Sequence, residues 1–127
     1  MMSFDTYLFD LDGTLADTVA DLTTCVNLLR GEIGLEPMGT EDIRVRVGDG
    51  ARLLLQRCLP EDLFRGKLLE RFLVLYGEHQ CDTTRLYPGM ADFLAAHKDE
   101  KLAVITNKPF HLSRLLLADL GIGHYFS

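Results

Sequence analysis

The residues best suited to chemistry in this chain are two aspartates, Asp10 and Asp12, which lie two positions apart near the N-terminus. The run from Thr6 to Phe9 before them is β-branched, aromatic and apolar, which predicts a short buried strand. Extended backbone points residues two positions apart to the same side, so both carboxylates could serve one reaction. One would attack a phosphate monoester and form a covalent aspartyl phosphate, while the other would transfer a proton.

A positive ion is expected beside this pair, because a carboxylate nucleophile and a phosphate group repel each other. Mg²⁺ is typically held by one or two carboxylates together with phosphate oxygens and waters, so Asp10 and Asp12 are the candidate metal ligands. Gly13 allows a tight turn directly after them, and we expect the turn to present backbone N–H groups to the phosphoryl oxygens.

A second group of polar side chains follows a second apolar run. The segment from Lys101 to Thr106 predicts another buried strand. Thr106 supplies a hydroxyl, Asn107 supplies amide donors and Lys108 supplies a positive charge, all of which suit a phosphoryl group. Strand–loop–helix folds bind ligands at the carboxyl ends of their strands, which here are residues 10–14 and 106–108.

Helices are predicted to fill the segment between the two strands. Apolar residues recur at three- and four-residue steps from Asp17 to Gly34, and further helices are predicted for Ala51 to Leu59 and Glu61 to His79. The polar stretch from Gln80 to Arg85 predicts a linker, and Phe110 to Leu120 predicts a helix after the second strand. This order of elements indicates an α/β fold.

Charge and composition narrow the classes of partner. The net charge of −6 argues against a nucleic-acid binder, which would need clustered Lys and Arg. The apolar runs are too short to cross a bilayer and no signal peptide is visible, so we expect a cytoplasmic protein without a membrane partner. Cys25, Cys58 and Cys81 form no zinc pattern, which predicts buried free thiols in a reducing compartment.

The segment Phe9-Asp10-Leu11-Asp12-Gly13-Thr14-Leu15, followed by Asp17-Thr18, resembles the first signature motif of the haloacid dehalogenase superfamily. Thr106 at the end of the second strand resembles the second motif. Within the superfamily, residues 47–51, 87–89 and 105–109 resemble the phosphoglycolate phosphatase branch. The resemblance extends over the whole chain.

The resemblance implies a partial Rossmann-like core with three α/β/α layers and an inserted α-helical cap. Residues 1–15 and 86–127 would form the core, and residues 16–85 the cap. By the same resemblance, Asp10 would be the nucleophile and a Mg²⁺ ligand. Asp12 would be the general acid and base and would offer its backbone carbonyl to the metal.

Further residues take implied roles at the phosphate and substrate. Thr106 would bind the transferring phosphoryl group, with Gly13, Asn107 and Lys108 as further phosphate-binding candidates. Gly50 and Arg52 fall where a cap loop would reach the substrate. The expected partner is a small phosphorylated metabolite.

The resemblance also implies parts that lie beyond Ser127. The superfamily has a phosphate-binding Lys in a third motif, metal-binding Asp in a fourth, and further strands, one of them beside the first strand. Whether Lys108 replaces the third-motif Lys stays open. We therefore expect a homodimer or a partner chain to cover the open sheet edges.

The function that the resemblance chiefly implies is that of a Mg²⁺-dependent phosphatase. Its expected substrate is a small phosphate monoester, with 2-phosphoglycolate as the leading candidate. Cap residues set the substrate in this superfamily, so a phosphatase of other specificity or a phosphosugar mutase is an alternative. A non-catalytic fragment, inactive by itself, is the alternative from a different class.

Overall fold

The computed structural model describes residues 6–126, and tertiary contacts divide the chain into two compact units. The strand unit comprises the described residues up to Asp17 together with those from Arg85 onward, and the helical unit runs from Thr18 to Thr84. The sequence predicted divisions after residues 15 and 85, whereas the contacts place them after residues 17 and 84.

All four strands of the described residues belong to the strand unit, and the first four α-helices belong to the helical unit. None of the described helices is long and apolar enough to cross a membrane. In chain order the elements are β1 (Thr6–Asp10), β2 (Ala16–Asp17), α1 (Val19–Glu32), α2 (Thr40–Arg44), α3 (Ala51–Cys58), α4 (Gly66–His79), β3 (Arg85–Leu86), α5 (Met90–Ala96), β4 (Lys101–Ile105) and α6 (Phe110–Asp119), with short 3₁₀ helices at Glu61–Leu63 and Gly123–Tyr125.

The strand unit is built on a parallel pair formed by β1 and β4. Parallel strands need a long crossover, which here contains the whole helical unit and α5. Helix α5 covers one face of the pair, where the Phe93 ring lies 5.6 Å from the Tyr7 ring and 5.9 Å from the Phe9 ring, both edge to face. Both predicted strands are confirmed, within one residue of their predicted ends.

The prediction that these strands are buried is wrong for the other face of the sheet. Leu8 and Ile105 are each 61% exposed, because the described residues provide no cover for their side chains. A second sheet was not predicted at all. Strands β2 and β3 pair antiparallel, and with two residues each they are too short to show an alternating pattern.

The helical unit is centred on the packing of α1 against α4, which removes Val26, Leu29 and Phe72 completely from solvent. The helix predicted from Glu61 is wrong in its first turns. Residues Glu61–Leu63 form a 3₁₀ turn, and the chain is extended at Phe64 and Arg65 before α4 begins. Gly66 lies at that start, where its low helix propensity disrupts less than it would within a continuous helix.

A buried carboxylate joins the first turn of α1 to the segment just before β3. Asp21 is 1% exposed and accepts hydrogen bonds of 2.7–3.0 Å from the N–H groups and hydroxyls of Thr83 and Thr84. Burial by itself would raise the pKa of Asp21, but the hydrogen bonds from Thr84 and Thr83 outweigh it and lower that pKa. Sequence analysis missed this contact, since its partners lie 62 and 63 residues away.

The cysteines are free thiols, as the sequence predicted. Cys25 and Cys58 are buried, whereas Cys81 is half-buried. Burial raises the pKa of the Cys58 thiol, although Arg46, Arg30 and Arg57 act in the opposite direction. The Cys58 thiol is therefore expected to react slowly.

We expect Asp21→Asn to lower the free energy of unfolding by about 1–3 kcal/mol at neutral pH. An amide has only one acceptor oxygen, so its NH₂ group would face donors of Thr83 or Thr84. Urea denaturation of the variant and the unmodified chain measures the difference. Glu32→Gln is the control, because the Glu32 carboxylate pairs with Arg71 at the surface. We expect this variant to lose less than about 1 kcal/mol of its free energy of unfolding.

The pH dependence of this difference tests its electrostatic origin. Because the folded pKa of Asp21 lies below its unfolded value, ~3.9, the contact stabilises the fold fully above that value. Its contribution is lost as the pH falls through the folded pKa. The difference between the two chains should be constant at higher pH and should shrink below about pH 4. A difference that stays undiminished in strong acid would contradict this cause.

Candidate active site

The parallel pairing of β1 and β4 brings the two predicted polar loops to one edge of the sheet. Asp10, the last residue of β1, lies opposite Ile105, the last residue of β4. The loops that begin after them therefore leave the sheet side by side. This is the juxtaposition that the sequence predicted from the carboxyl ends of the two strands.

The loop after β1 is a tight turn closed by its own backbone. The N–H of Leu15 donates to the Asp10 carbonyl at 3.3 Å, and the N–H of Gly13 donates to the Ala16 carbonyl at 2.9 Å. Gly13 has a φ of +83°, a left-handed conformation that favours glycine. The bond to Ala16 occupies the donor that we expected Gly13 to offer to a phosphoryl group.

An ion pair connects this turn to the loop after β4. Lys108 Nζ lies 3.2 Å from Asp12 Oδ1, and the two side chains are only 4% and 19% exposed. The backbone N–H of Lys108 also donates to Thr106 Oγ1 at 3.1 Å. Lys108 therefore contacts the side chains of both Asp12 and Thr106, one from each predicted motif.

A cleft of about 790 Å³ borders this part of the strand unit. Thr106 and Lys108 form part of its wall, and Arg114 and His124 add further basic side chains. Thr106 is half-buried, whereas Asn107 is exposed. The phosphate-binding roles of Asn107 and Lys108 stay predictions.

The two candidate substrate residues of the cap lie at the start of α3 in the helical unit. Gly50 precedes the helix with a φ of +95°. Arg52 is exposed, and its guanidinium lies 5.8 Å from the centre of the Phe64 ring, a cation–π distance. Asp49 in the same loop pairs with Arg57 at 2.7 Å. Substrate contact by Gly50 and Arg52 stays a prediction.

The carboxylate and carbonyl oxygens at the sheet edge are of the kind that a divalent metal ion takes as ligands. Among the described residues there is no cluster of three or more His, Cys, Asp or Glu side chains that could hold a metal. Mg²⁺ does not require one, because it usually keeps several waters and binds one or two protein oxygens with substrate phosphate. Since the Asp12 carboxylate pairs with Lys108, the fitting donors are the exposed Asp10 carboxylate and the Asp12 backbone carbonyl.

The comparison with protein families identifies the family of this chain. The model of the haloacid dehalogenase-like hydrolases matches residues 7–127, which include both loops and the helical unit. This chain belongs to the haloacid dehalogenase-like hydrolases. The predicted family and the α/β fold class are thereby confirmed.

Curated relatives of this haloacid dehalogenase-like hydrolase are longer than the chain itself. It is 38% identical to a phosphoglycolate phosphatase of Chromobacterium violaceum, over 94% of the chain and 58% of the relative. It is also 38% identical to phosphoglycolate phosphatase 1 of Pseudomonas aeruginosa, over 94% of the chain and 47% of the relative. The chain thus spans about half the length of these relatives.

A solved structure carries the same fold over the whole chain. The crystal structure of a predicted phosphoglycolate phosphatase from Haemophilus somnus matches with a TM-score of 0.90 and 34% identity. The match covers 100% of this chain and 62% of that one. More than a third of that protein therefore has no counterpart in this chain.

The contact between Lys108 and Asp12 was missed by sequence reasoning. A signal was present, because a lysine three residues beyond the end of one strand can reach the loop of a parallel neighbour. Lys108 was instead assigned to the phosphoryl group on its charge alone. Only the pairing of β1 with β4 identifies Asp12 as its neighbour.

A double-mutant cycle of Lys108→Met and Asp12→Ala should give a coupling energy of about 1–3 kcal/mol. The reason is that little water is available to replace either partner of this mostly buried pair. Urea denaturation of the two single variants and the double variant measures it. The exposed pair of Arg44 and Glu41 is the control, with an expected coupling below about 0.5 kcal/mol. Additive effects at Lys108 and Asp12 would contradict the pairing.

Gly13→Ala should lower the free energy of unfolding by about 1–2 kcal/mol. No atom lies within 4 Å of a β-carbon built at Gly13, so the whole cost comes from the left-handed backbone. Thermal denaturation is the measurement. Gly31→Ala is the matched control, because Gly31 has equally open space but lies within α1, where alanine should stabilise by roughly 0.5–1 kcal/mol. Equal effects at both sites would refute a conformational cause.

Proposed function

We propose that this haloacid dehalogenase-like hydrolase carries the nucleophile of a Mg²⁺-dependent phosphatase. Its proposed substrate is a small phosphate monoester, with 2-phosphoglycolate as the leading candidate. The observation that carries the proposal is the meeting of two polar loops at one sheet edge, with Asp10 exposed and Asp12 paired with Lys108 beside it. The substrate is proposed from the relatives, which are phosphoglycolate phosphatases at 38% identity.

The reaction divides into two displacements at phosphorus. An oxygen of the Asp10 carboxylate attacks the phosphorus, the bond from phosphorus to the ester oxygen breaks, and the departing oxygen takes a proton from Asp12, which has to leave its ion pair with Lys108 and enter this step as the carboxylic acid. Water then attacks the phosphorus of the aspartyl phosphate while Asp12 takes a proton from it. The bond from phosphorus to Asp10 breaks, inorganic phosphate leaves, and both aspartates return to their starting states.

The other proposed residues bind and orient the phosphoryl group. The Thr106 hydroxyl and the Asn107 amide would donate hydrogen bonds to its oxygens. A Mg²⁺ ion bound by the Asp10 carboxylate and the Asp12 carbonyl would offset the repulsion between carboxylate and phosphate. Gly50 and Arg52 of the helical unit are proposed to contact the rest of the substrate.

A second candidate is a protein that binds phosphate or metal without turning substrate over. It is favoured by the length comparison, because the chain spans only 58% and 47% of two of its curated relatives. The two candidates differ in one observable event, the formation of a covalent phosphate ester on Asp10.

We expect the purified chain, supplied with Mg²⁺ and 2-phosphoglycolate, to release inorganic phosphate. Asp10→Asn should lower that rate at least about a thousand-fold, because it removes the attacking carboxylate while keeping its shape. Phosphate release is measured directly, and chelation of Mg²⁺ should stop it reversibly. Borohydride reduction during turnover should convert residue 10 to homoserine, which mass spectrometry detects.

Asp92→Asn is the matched control for this experiment. Asp92 is an exposed aspartate in the first turn of α5, outside the proposed machinery, so its loss should leave turnover unchanged. A folded chain that neither releases phosphate nor forms homoserine at residue 10 would favour the binding-only candidate. Turnover that survives Asp10→Asn would refute the assignment of the nucleophile.

A further inference from the structure

Three arginines of the helical unit, Arg30, Arg46 and Arg57, meet at the C-terminal end of α3, and we call them the arginine cluster. Nε of Arg46 donates to the Arg57 carbonyl at 3.2 Å, and Nη1 of Arg57 donates to the Arg46 carbonyl at 3.0 Å. Arg30 donates from Nη1 to the carbonyl of Cys58, the last residue of α3. Three separate parts of the chain therefore bring guanidinium groups to one helix end.

A buried thiol shows that the three positive charges lie close to one another. Cys58 is 2% exposed, and its burial raises the pKa of the thiol. The charges of Arg46, Arg30 and Arg57 all act on that pKa in the opposite direction, because a nearby positive charge favours the thiolate. Charge interactions weaken with distance, so all three guanidinium groups lie near this one side chain.

Helix capping explains the hydrogen bonds of the arginine cluster but not its charge. Arginines near a helix C-terminus can donate to the last carbonyls, as Arg46 and Arg30 do at the end of α3. The dipole of a helix, however, places only about half a negative charge at that end. Three positive charges are therefore more than α3 offsets by itself.

Among the described residues, a single carboxylate pairs with the arginine cluster. Oδ2 of Asp49 lies 2.7 Å from Nη2 of Arg57. Within residues 6–126, Arg30 and Arg46 form no ion pair with a carboxylate, and the groups that accept their hydrogen bonds are backbone carbonyls. Three arginines against one aspartate leave an excess of two positive charges, on a chain whose net charge is −6.

The arginine cluster also has hydrogen-bond donors that no described residue uses. The bonds of Arg30 and Arg46 to carbonyls involve Nε and Nη1, which leaves the Nη2 group of each for a ligand. These bonds hold both side chains, which are half-buried, in fixed positions. A guanidinium held in this way loses little entropy on binding, and its planar fork matches two oxygens of a phosphate group.

We propose that the arginine cluster is a binding site for a phosphate group, carried by inorganic phosphate or by a phosphorylated small molecule. A phosphate group carries up to about two negative charges at neutral pH, which matches the excess charge of the cluster. Its several oxygens can accept hydrogen bonds from Arg30 and Arg46 together. The site belongs to the helical unit, whereas Asp10 and Thr106 belong to the strand unit, and the proposal does not depend on turnover.

The test is a titration of the purified chain with inorganic phosphate, followed by NMR at the Nε–H signals of the arginine side chains. Ionic strength is held constant, because added salt by itself screens exposed charges. We expect the signals of Arg30, Arg46 and Arg57 to shift and to saturate together. The same titration with 2-phosphoglycolate compares the two sources of the phosphate group, and tighter binding of either one at these signals supports the site.

Arg30→Met and Arg46→Met should each weaken phosphate binding about ten-fold, because each removes one charged fork of donors. Arg46→Lys keeps the charge without the fork, so its effect should be smaller. Arg44→Met is the matched control. Arg44 lies two positions before Arg46 but pairs with Glu41 at the surface, so its loss should leave phosphate binding unchanged.

Asp49→Asn gives a test that a damaged fold cannot imitate, because the expected result is a gain of binding. The substitution removes the one carboxylate that competes with phosphate at Arg57, so the affinity for phosphate should rise about two- to five-fold. Absence of phosphate binding, or an affinity that Asp49→Asn does not raise, would overturn the proposal. Shifts confined to the amides around Asp10 and Thr106 would also overturn it and would assign the phosphate to the candidate active site.

Discussion

The parallel pairing of β1 with β4 is the contact on which the candidate site depends. It joins segments that lie about ninety-five positions apart, from Thr6 opposite Lys101 to Asp10 opposite Ile105. A slip of one residue would turn Tyr7 and Phe9 away from α5 and expose their rings. The hydrophobic contacts with Phe93 therefore hold the register, and the register in turn places the two polar loops together.

Polar contacts between distant segments also hold the loops and helices in place. Lys108 joins the two loops through a mostly buried ion pair with Asp12, and the same residue orients Thr106 through its backbone N–H. In the helical unit, Asp21 likewise joins two distant segments, because its carboxylate accepts hydrogen bonds from four donors of Thr83 and Thr84. Each buried charge is tolerated because hydrogen bonds or an opposite charge replace the water it has lost.

One face of the sheet formed by β1 and β4, which carries Leu8 and Ile105, is uncovered among the described residues. The strands carry apolar side chains on both sides, as parallel strands do, yet the described residues cover only the side that α5 packs on. That uncovered surface ends at Asp10 and Ile105, directly beside the candidate site.

The sequence by itself determined the family, the two strands, most helix positions and the residues of both loops. These are local properties: hydrophobic periodicity, turn-forming glycine and a compact motif at Asp10–Leu15. Only the tertiary structure decided which side chains meet. Segments far apart in the chain are joined by the Lys108–Asp12 pair, by the Asp21 contact and by the pairing of β2 with β3. Hydrophobic periodicity is a local property and does not identify such distant partners. The buried character of β1 was misjudged for the same reason, because burial depends on what packs against Leu8 and not on Leu8 itself.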